Sequence, residues 1–116
     1  MAIDAIYPSL KDKTVLITGG GSGIGEALTR AFIAQSAKVG FLDYDKAASE
    51  TLAAELDSPD LHFEYCDLRD IDALKAAVKA VSSKLGPIRI LVNNAARDDR
   101  HSLESVTSDY FDERIA

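Results

Sequence analysis

The sequence predicts an α/β fold, and more narrowly the N-terminal half of a doubly wound parallel sheet with its strands in the order 3-2-1-4. Three observations predict it. Short β-type runs alternate with segments of helical period along the chain, the pattern that gives a parallel sheet covered by helices on both faces. The first, second and fourth of those runs are nearly continuous apolar stretches, as strands buried on both faces are. A glycine-rich segment from Gly19 to Gly25 joins the first run to the first helical segment, where such a sheet turns its backbone toward a ligand.

In chain order, Thr14 to Thr18 reads as the first strand, and Ile24, Leu28, Ala31 and Phe32 mark the stripe of the helix after it. Lys38 to Leu42 is the second strand, and Ala48, Leu52 and Leu56 mark the second helix. His62 to Tyr65 is the third strand. Ile71, Leu74, Val78, Val81 and Leu85 mark the third helix, with Asp70 placed to cap its first N–H groups and Gly86-Pro87 ending it. Arg89 to Val92 is the fourth strand. Thr107 is placed to cap a further helix through Tyr110, Phe111 and Ile115, which runs only about two turns before Ala116. The expectation is therefore one partial domain over residues 1–116, the remaining strands of the sheet being absent. The fourth strand, central in a complete sheet of this kind, is then an edge carrying Ile90, Leu91 and Val92, and the isolated 116 residues are expected to associate through it.

A chain of 116 residues with 47% hydrophobic and 28% charged content has the composition of an ordinary soluble globular domain. Its formal net charge of −6 opposes a polyphosphate partner, so nucleic acid is excluded as a ligand class. The first residues form no continuous apolar core, and no apolar stretch reaches the roughly 20 residues of a membrane span, so a cytoplasmic protein is expected. Cys66 is the only cysteine, which rules out an internal disulfide; at the end of an apolar strand with no basic neighbour to stabilise a thiolate, it reads as buried and structural. No metal site is expected.

Thr18-Gly19-Gly20-Gly21-Ser22-Gly23-Ile24-Gly25 carries the chemistry. Without Cβ atoms the chain can turn sharply and bring N–H groups of a helix start, at the positive end of its dipole, against a pyrophosphate. A glycine turn alone also fits a flexible loop. Asp43, about 20 residues beyond the turn at the end of the second strand, is placed to accept hydrogen bonds from the 2′- and 3′-hydroxyls of an adenosine ribose, which favours NAD over NADP because a 2′-phosphate would meet a like charge. Its alternative role is to cap the helix that begins near Asp45, which Asp45 serves equally well. No Gly-x4-Gly-Lys-Ser/Thr pattern occurs, which removes the nucleoside triphosphatase phosphate loop.

Thr18-Gly19-x3-Gly23-x-Gly25, Asp67 after the third strand and Asn93-Asn94-Ala95 after the fourth together resemble the short-chain dehydrogenase/reductase family, whose domain is a Rossmann fold. The resemblance implies that Gly19, Gly21, Ser22, Gly23, Ile24, Gly25 and Asp43 hold NAD, that Asp67 bonds the adenine amino group with the backbone of Leu68 nearby, and that Asn94 and Ala95 line the nicotinamide-side ribose. Ala96 departs from the family's glycine by one methyl group. Read without the family, Asn93 and Asn94 are turn residues that end a strand. The segments Ala5 to Lys11, Asp98 to His101 and Asp112 to Ile115 resemble the bacterial aldose 1-dehydrogenase branch, the D-xylose 1-dehydrogenase group within it. That implies oxidation of a sugar or other secondary alcohol, hydride passing to the nicotinamide C4 and a proton to a side-chain base. Asp98, Arg100 and His101 follow the fourth strand and become candidates for the sugar hydroxyls, a solvated charged loop being the alternative. The resemblance also implies a homo-oligomer, dimer or tetramer.

The family's catalytic Ser, Tyr, Lys and supporting Asn have no counterpart in these residues. Tyr7-Pro8-Ser9-Leu10-Lys11 matches the Tyr-x3-Lys spacing, but it precedes the first strand and its Pro8 forbids a continuous helix, so it is assigned no role. The chain by itself is expected to be inactive, and no catalytic residue is assigned. The alternative to an enzyme is a non-catalytic NAD-binding or partner-docking module. A methyltransferase also uses a glycine turn and an acid after the second strand, but the Thr18 to Gly25 spacing and Asn93-Asn94-Ala95 argue against it.

Overall fold

The structure, a computed structural model, describes residues 7–94. A 3-10 turn, Pro8–Leu10, precedes β1 (Thr14–Thr18), α1 (Gly23–Ala34), β2 (Lys38–Asp43), α2 (Lys46–Leu56), β3 (Leu61–Tyr65), α3 (Ile71–Leu85) and β4 (Ile88–Asn93). The four strands form one sheet in the order β3-β2-β1-β4, every pairing parallel, as the alternation predicts. Ala95, Asp98, Arg100, His101, and the helix expected after Thr107 lie outside the described residues.

Side chains divide by strand alternation between the two faces. Val15, Ile17, Val39 and Phe41 point to one face, where Leu28 and Phe32 of α1 and Leu52 and Leu56 of α2 cover them. Leu16 and Leu42 point to the other and meet Leu74, Val78, Val81 and Leu85 of α3. Phe41 and Phe63 stack with ring centroids 5.1 Å apart on adjacent strands. Gly40 is what lets α3 close on the sheet: a Cβ there would stand 2.4 Å from Val81 Cγ1.

Element ends differ from the periodic reading by a residue or two. β4 begins at Ile88, directly after Pro87, because Ile88 is buried and pairs with Thr14; the register then steps over exposed Arg89, so Val15 faces Ile90. Gly86, at φ 98, makes the turn out of α3, and the Thr14 hydroxyl donates to the Leu85 carbonyl at 2.8 Å to fasten that helix end to β1. Two stripe residues are corrected: Ile71, the first residue of α3, is 37% exposed, and Ile24 is 73% exposed. The inward face of α1 begins instead at Gly25 and Thr29, because α1 presses against the turn there and leaves room only for small side chains.

Candidate functional site

β1 lies between β2 and β4, so Thr18 has Leu42 on one side and Asn93 on the other. The strand order reverses at this point, and the crevice at the carboxyl ends of such strands is where open α/β sheets receive ligands. The chain leaves β1 through Gly19, at φ 68, and enters α1 through Gly23, at φ 58; both are left-handed conformations that side chains resist.

The turn is tied on both flanks. On the β2 side, the Gly19 N–H donates to the Leu42 carbonyl at 2.7 Å, and the Gly21 N–H donates to Asp43 Oδ2 at 3.0 Å. The other carboxylate oxygen, Asp43 Oδ1, accepts from the Asp45 N–H at 2.9 Å. Asp45, not Asp43, caps α2, its side chain accepting from the Ala48 N–H at 3.1 Å. On the β4 side, Asn94 Nδ2 donates to the Gly19 carbonyl at 3.1 Å, and its backbone N–H donates to Thr18 Oγ1 at 3.0 Å. Thr18 Oγ1 in turn donates to Asn93 Oδ1 at 3.0 Å. Asn94 thus does more than end a strand: it reaches across the switch point to the glycine turn.

Glycine is required here for close approach. A Cβ on Gly25 would stand 1.7 Å from the Gly19 carbonyl oxygen, and one on Gly20 would stand 2.5 Å from Phe41 Cβ. Thr29, fully buried, braces the turn from beneath, its hydroxyl lying 3.1 Å from the Gly20 carbonyl and 2.9 Å from that of Gly25. Sequence reasoning passed over Thr29 and Ser49. The available signal was a polar residue on a buried helix stripe, where it needs a partner.

α1 opens toward the crevice without a side-chain cap. Ser22 occupies the cap position but makes no such bond, and the first bond of the helix runs from the Glu26 N–H to the Ser22 carbonyl at 3.2 Å. The N–H groups of Gly23, Ile24 and Gly25 therefore precede the hydrogen-bonded ladder, and with the helix dipole they suit an anionic group. A bare glycine cradle, an uncapped helix start and a neighbouring carboxylate fit the diphosphate and ribose of a dinucleotide.

Asp67 and Leu68 lie beyond β3. Arg69 grips Asp67 with a fork, Nε to Oδ1 at 3.0 Å and Nη2 to Oδ2 at 2.9 Å, and its N–H adds a bond to Oδ1 at 3.0 Å. These hydrogen bonds hold the Asp67 carboxyl at a pKa of about 2. The Leu68 side chain packs into the α3-side core, so it can present only backbone to a ligand. Cys66 is 1% exposed; burial first, then the charges of Asp67, Asp70 and Glu64, push its thiol up to about 11, which removes it as a nucleophile. A separate groove of about 330 Å³ between α1 and α2 meets the turn only at Gly21 and Ser22 and contains none of Asp43, Asp67 or Asn94. Arg30 in that groove pairs with Glu26 and Glu55, each at 3.0 Å. This groove is separate from the crevice at the carboxyl ends of β1, β2 and β4.

Comparison with known proteins agrees with that geometry. The family model described as short chain dehydrogenase matches residues 13–116. The chain is 50% identical over 113 residues to D-xylose 1-dehydrogenase of Caulobacter vibrioides, covering 96% of this chain and 44% of the relative. It is 47% identical over 114 residues to a probable galactose dehydrogenase of Rhizobium meliloti, covering 95% and 44%. It thus spans less than half the length of these curated relatives. Among solved structures, a short chain dehydrogenase from Bacillus anthracis superposes with a TM-score of 0.83 at 24% identity, over 90% of this chain and 52% of that one. A 3-ketoacyl-(acyl-carrier-protein) reductase from Brucella melitensis, complexed with NADH, superposes with a TM-score of 0.67 at 39% identity, over 71% and 33%.

Proposed function

This chain belongs to the short-chain dehydrogenase/reductase family, and from that premise we propose that it is the cofactor-binding half of a cytoplasmic, NAD-dependent dehydrogenase that oxidises an aldose or related secondary alcohol. The observation that carries the proposal is the tethering of one glycine turn from both neighbouring strands at the switch point, through Asp43 at the end of β2 and Asn94 directly after β4. The sugar class is supported by the D-xylose and galactose dehydrogenases that the chain resembles at 50% and 47% identity.

Each residue has a task in this reading. The N–H groups of Gly23, Ile24 and Gly25 receive the diphosphate, and Gly19 and Gly21 keep the approach clear. Asp43 accepts the two adenosine-ribose hydroxyls, one on each carboxylate oxygen; without the ligand, those oxygens hold the Gly21 and Asp45 N–H groups. Asp67 and the Leu68 backbone border the adenine, with Arg69 released from the carboxylate as the base arrives. Ser22 stands with the glycines in the turn that receives the diphosphate, and Asn94, with Ala95 next to it, borders the nicotinamide side. A bound nicotinamide supplies a hydride acceptor at C4. Asp98, Arg100 and His101 contact the sugar, and the proton-transfer residues lie outside these 116. The complete enzyme is a dimer or tetramer.

The test is a panel of aldoses and polyols offered to the full chain with NAD and, separately, NADP, following reduction of the nicotinamide spectrophotometrically. The proposal expects oxidation of at least one aldose with NAD. NADH binding without turnover of any sugar or alcohol would instead favour a non-catalytic dinucleotide-binding module.

A further inference from the structure

Ser49, in the first turn of α2, is fully buried, and its hydroxyl has no hydrogen-bond partner among the described residues. An unpaired buried hydroxyl is costly and calls for an explanation. The point where a Gly21 Cβ would stand is 2.2 Å from Ser49 Oγ and 3.0 Å from Asp43 Oδ2, so the hydroxyl and the carboxylate crowd the same side of the turn.

Counting acceptor sites shows what such a hydroxyl can do there. A carboxylate accepts about four hydrogen bonds. The Gly21 and Asp45 N–H groups occupy one site on each oxygen of Asp43, which leaves one on each, the number that a ribose diol needs. Ser49 therefore has no use as an additional donor once the diol is in place. It has one as a replacement.

We propose that Ser49 is a positioning residue for Asp43: on cofactor binding the Ser49 O–H takes over Asp43 Oδ2, through a change of side-chain rotamer, as the Gly21 N–H leaves that oxygen for the ligand. Asp43 then keeps its orientation toward the diol while the turn adapts, and Ser49 becomes a determinant of preference for the unphosphorylated ribose. This rests on the dinucleotide reading of the site and adds to it a residue that touches neither cofactor nor substrate.

The experiment is titration of NADH, NADPH and ADP-ribose into the full-length protein and its Ser49→Ala and Ser49→Cys variants, by fluorescence or calorimetry. Alanine is smaller than serine and cysteine somewhat larger and a weak donor, so a loss common to both variants reports the hydrogen bond and not packing. Both variants are expected to weaken NADH and ADP-ribose about fivefold to tenfold, the worth of one hydrogen bond, and to leave NADPH unchanged, so the NADH-to-NADPH preference falls by the same factor. Equal weakening of NADH and NADPH, full recovery in Ser49→Cys, or no change in either variant would overturn the assignment. If Ser49→Ala does not fold, Ser49→Cys carries the test. A wild-type protein that binds none of the three ligands would refute the dinucleotide reading itself, a different outcome from all of these.

Discussion

At the scale of single residues, the site depends on atoms that are missing. Gly25→Ala places a methyl carbon 1.7 Å from the Gly19 carbonyl oxygen, a backbone atom that cannot step aside. We expect it to destabilise the protein by about 1–3 kcal/mol and to abolish dinucleotide binding, since α1 must retreat from the turn. Denaturant unfolding measures the first and calorimetry the second; an unaltered midpoint with intact binding contradicts the geometry. Cys66 gives a pH prediction of definite sign. Its thiol is raised in the fold from 9.0 to about 11, so the unfolded chain ionises first, and stability fully present below pH 9 is lost as pH rises from there toward 11. Urea unfolding across that window should show a steeper decline in the native protein than in Cys66→Ala, and parallel declines would contradict the assignment.

At the scale of elements, the three helices start in two ways, and the difference follows use. α2 and α3 carry aspartate caps, Asp45 on the Ala48 N–H and Asp70 on the Ala73 N–H, each at 3.1 Å. α1, which opens on the crevice, has none. Asp70→Ala should therefore lower stability by about 1 kcal/mol with a smaller effect on ligand affinity, because its side chain caps α3 while the adjoining Asp67-Leu68 segment is held by the backbone bond from the Asp70 N–H to the Asp67 carbonyl. Equilibrium unfolding with a parallel NADH titration checks both halves, and a loss of affinity without a loss of stability would be the wrong result. Elements were the most legible part of the sequence. Period and punctuation give all four strands and three helices, because Leu74, Val78, Val81 and Leu85 pack inward on α3 as their spacing requires. Ile24 misled, since its period says inward while the closeness of α1 to the turn turns it out to solvent. Within the site, glycines and Asp43 are readable from spacing. Their partners are not: the bonds Gly21 to Asp43 and Asn94 to Gly19 span 22 and 75 residues, and Thr29 and Ser49 are ordinary helix residues until the fold places them under the turn.

At the scale of the whole molecule, the topology brings chemistry together that no local stretch holds. Parallel crossovers carry the chain from β1 out to β3 and back past β1 to β4, so the ends of β2 and β4 flank the end of β1. In the proposed function this junction binds a dinucleotide whose unphosphorylated adenosine ribose is held by Asp43. Its most direct test is titration of the full-length protein and of Asp43→Ala with NADH and NADPH under identical salt. Wild type is expected to bind NADH at least about tenfold more tightly than NADPH, and Asp43→Ala to lose most of that difference by weakening NADH and relieving the repulsion of the 2′-phosphate. Equal affinity of wild type for the two cofactors, or a preference that survives in Asp43→Ala, would contradict that role of Asp43.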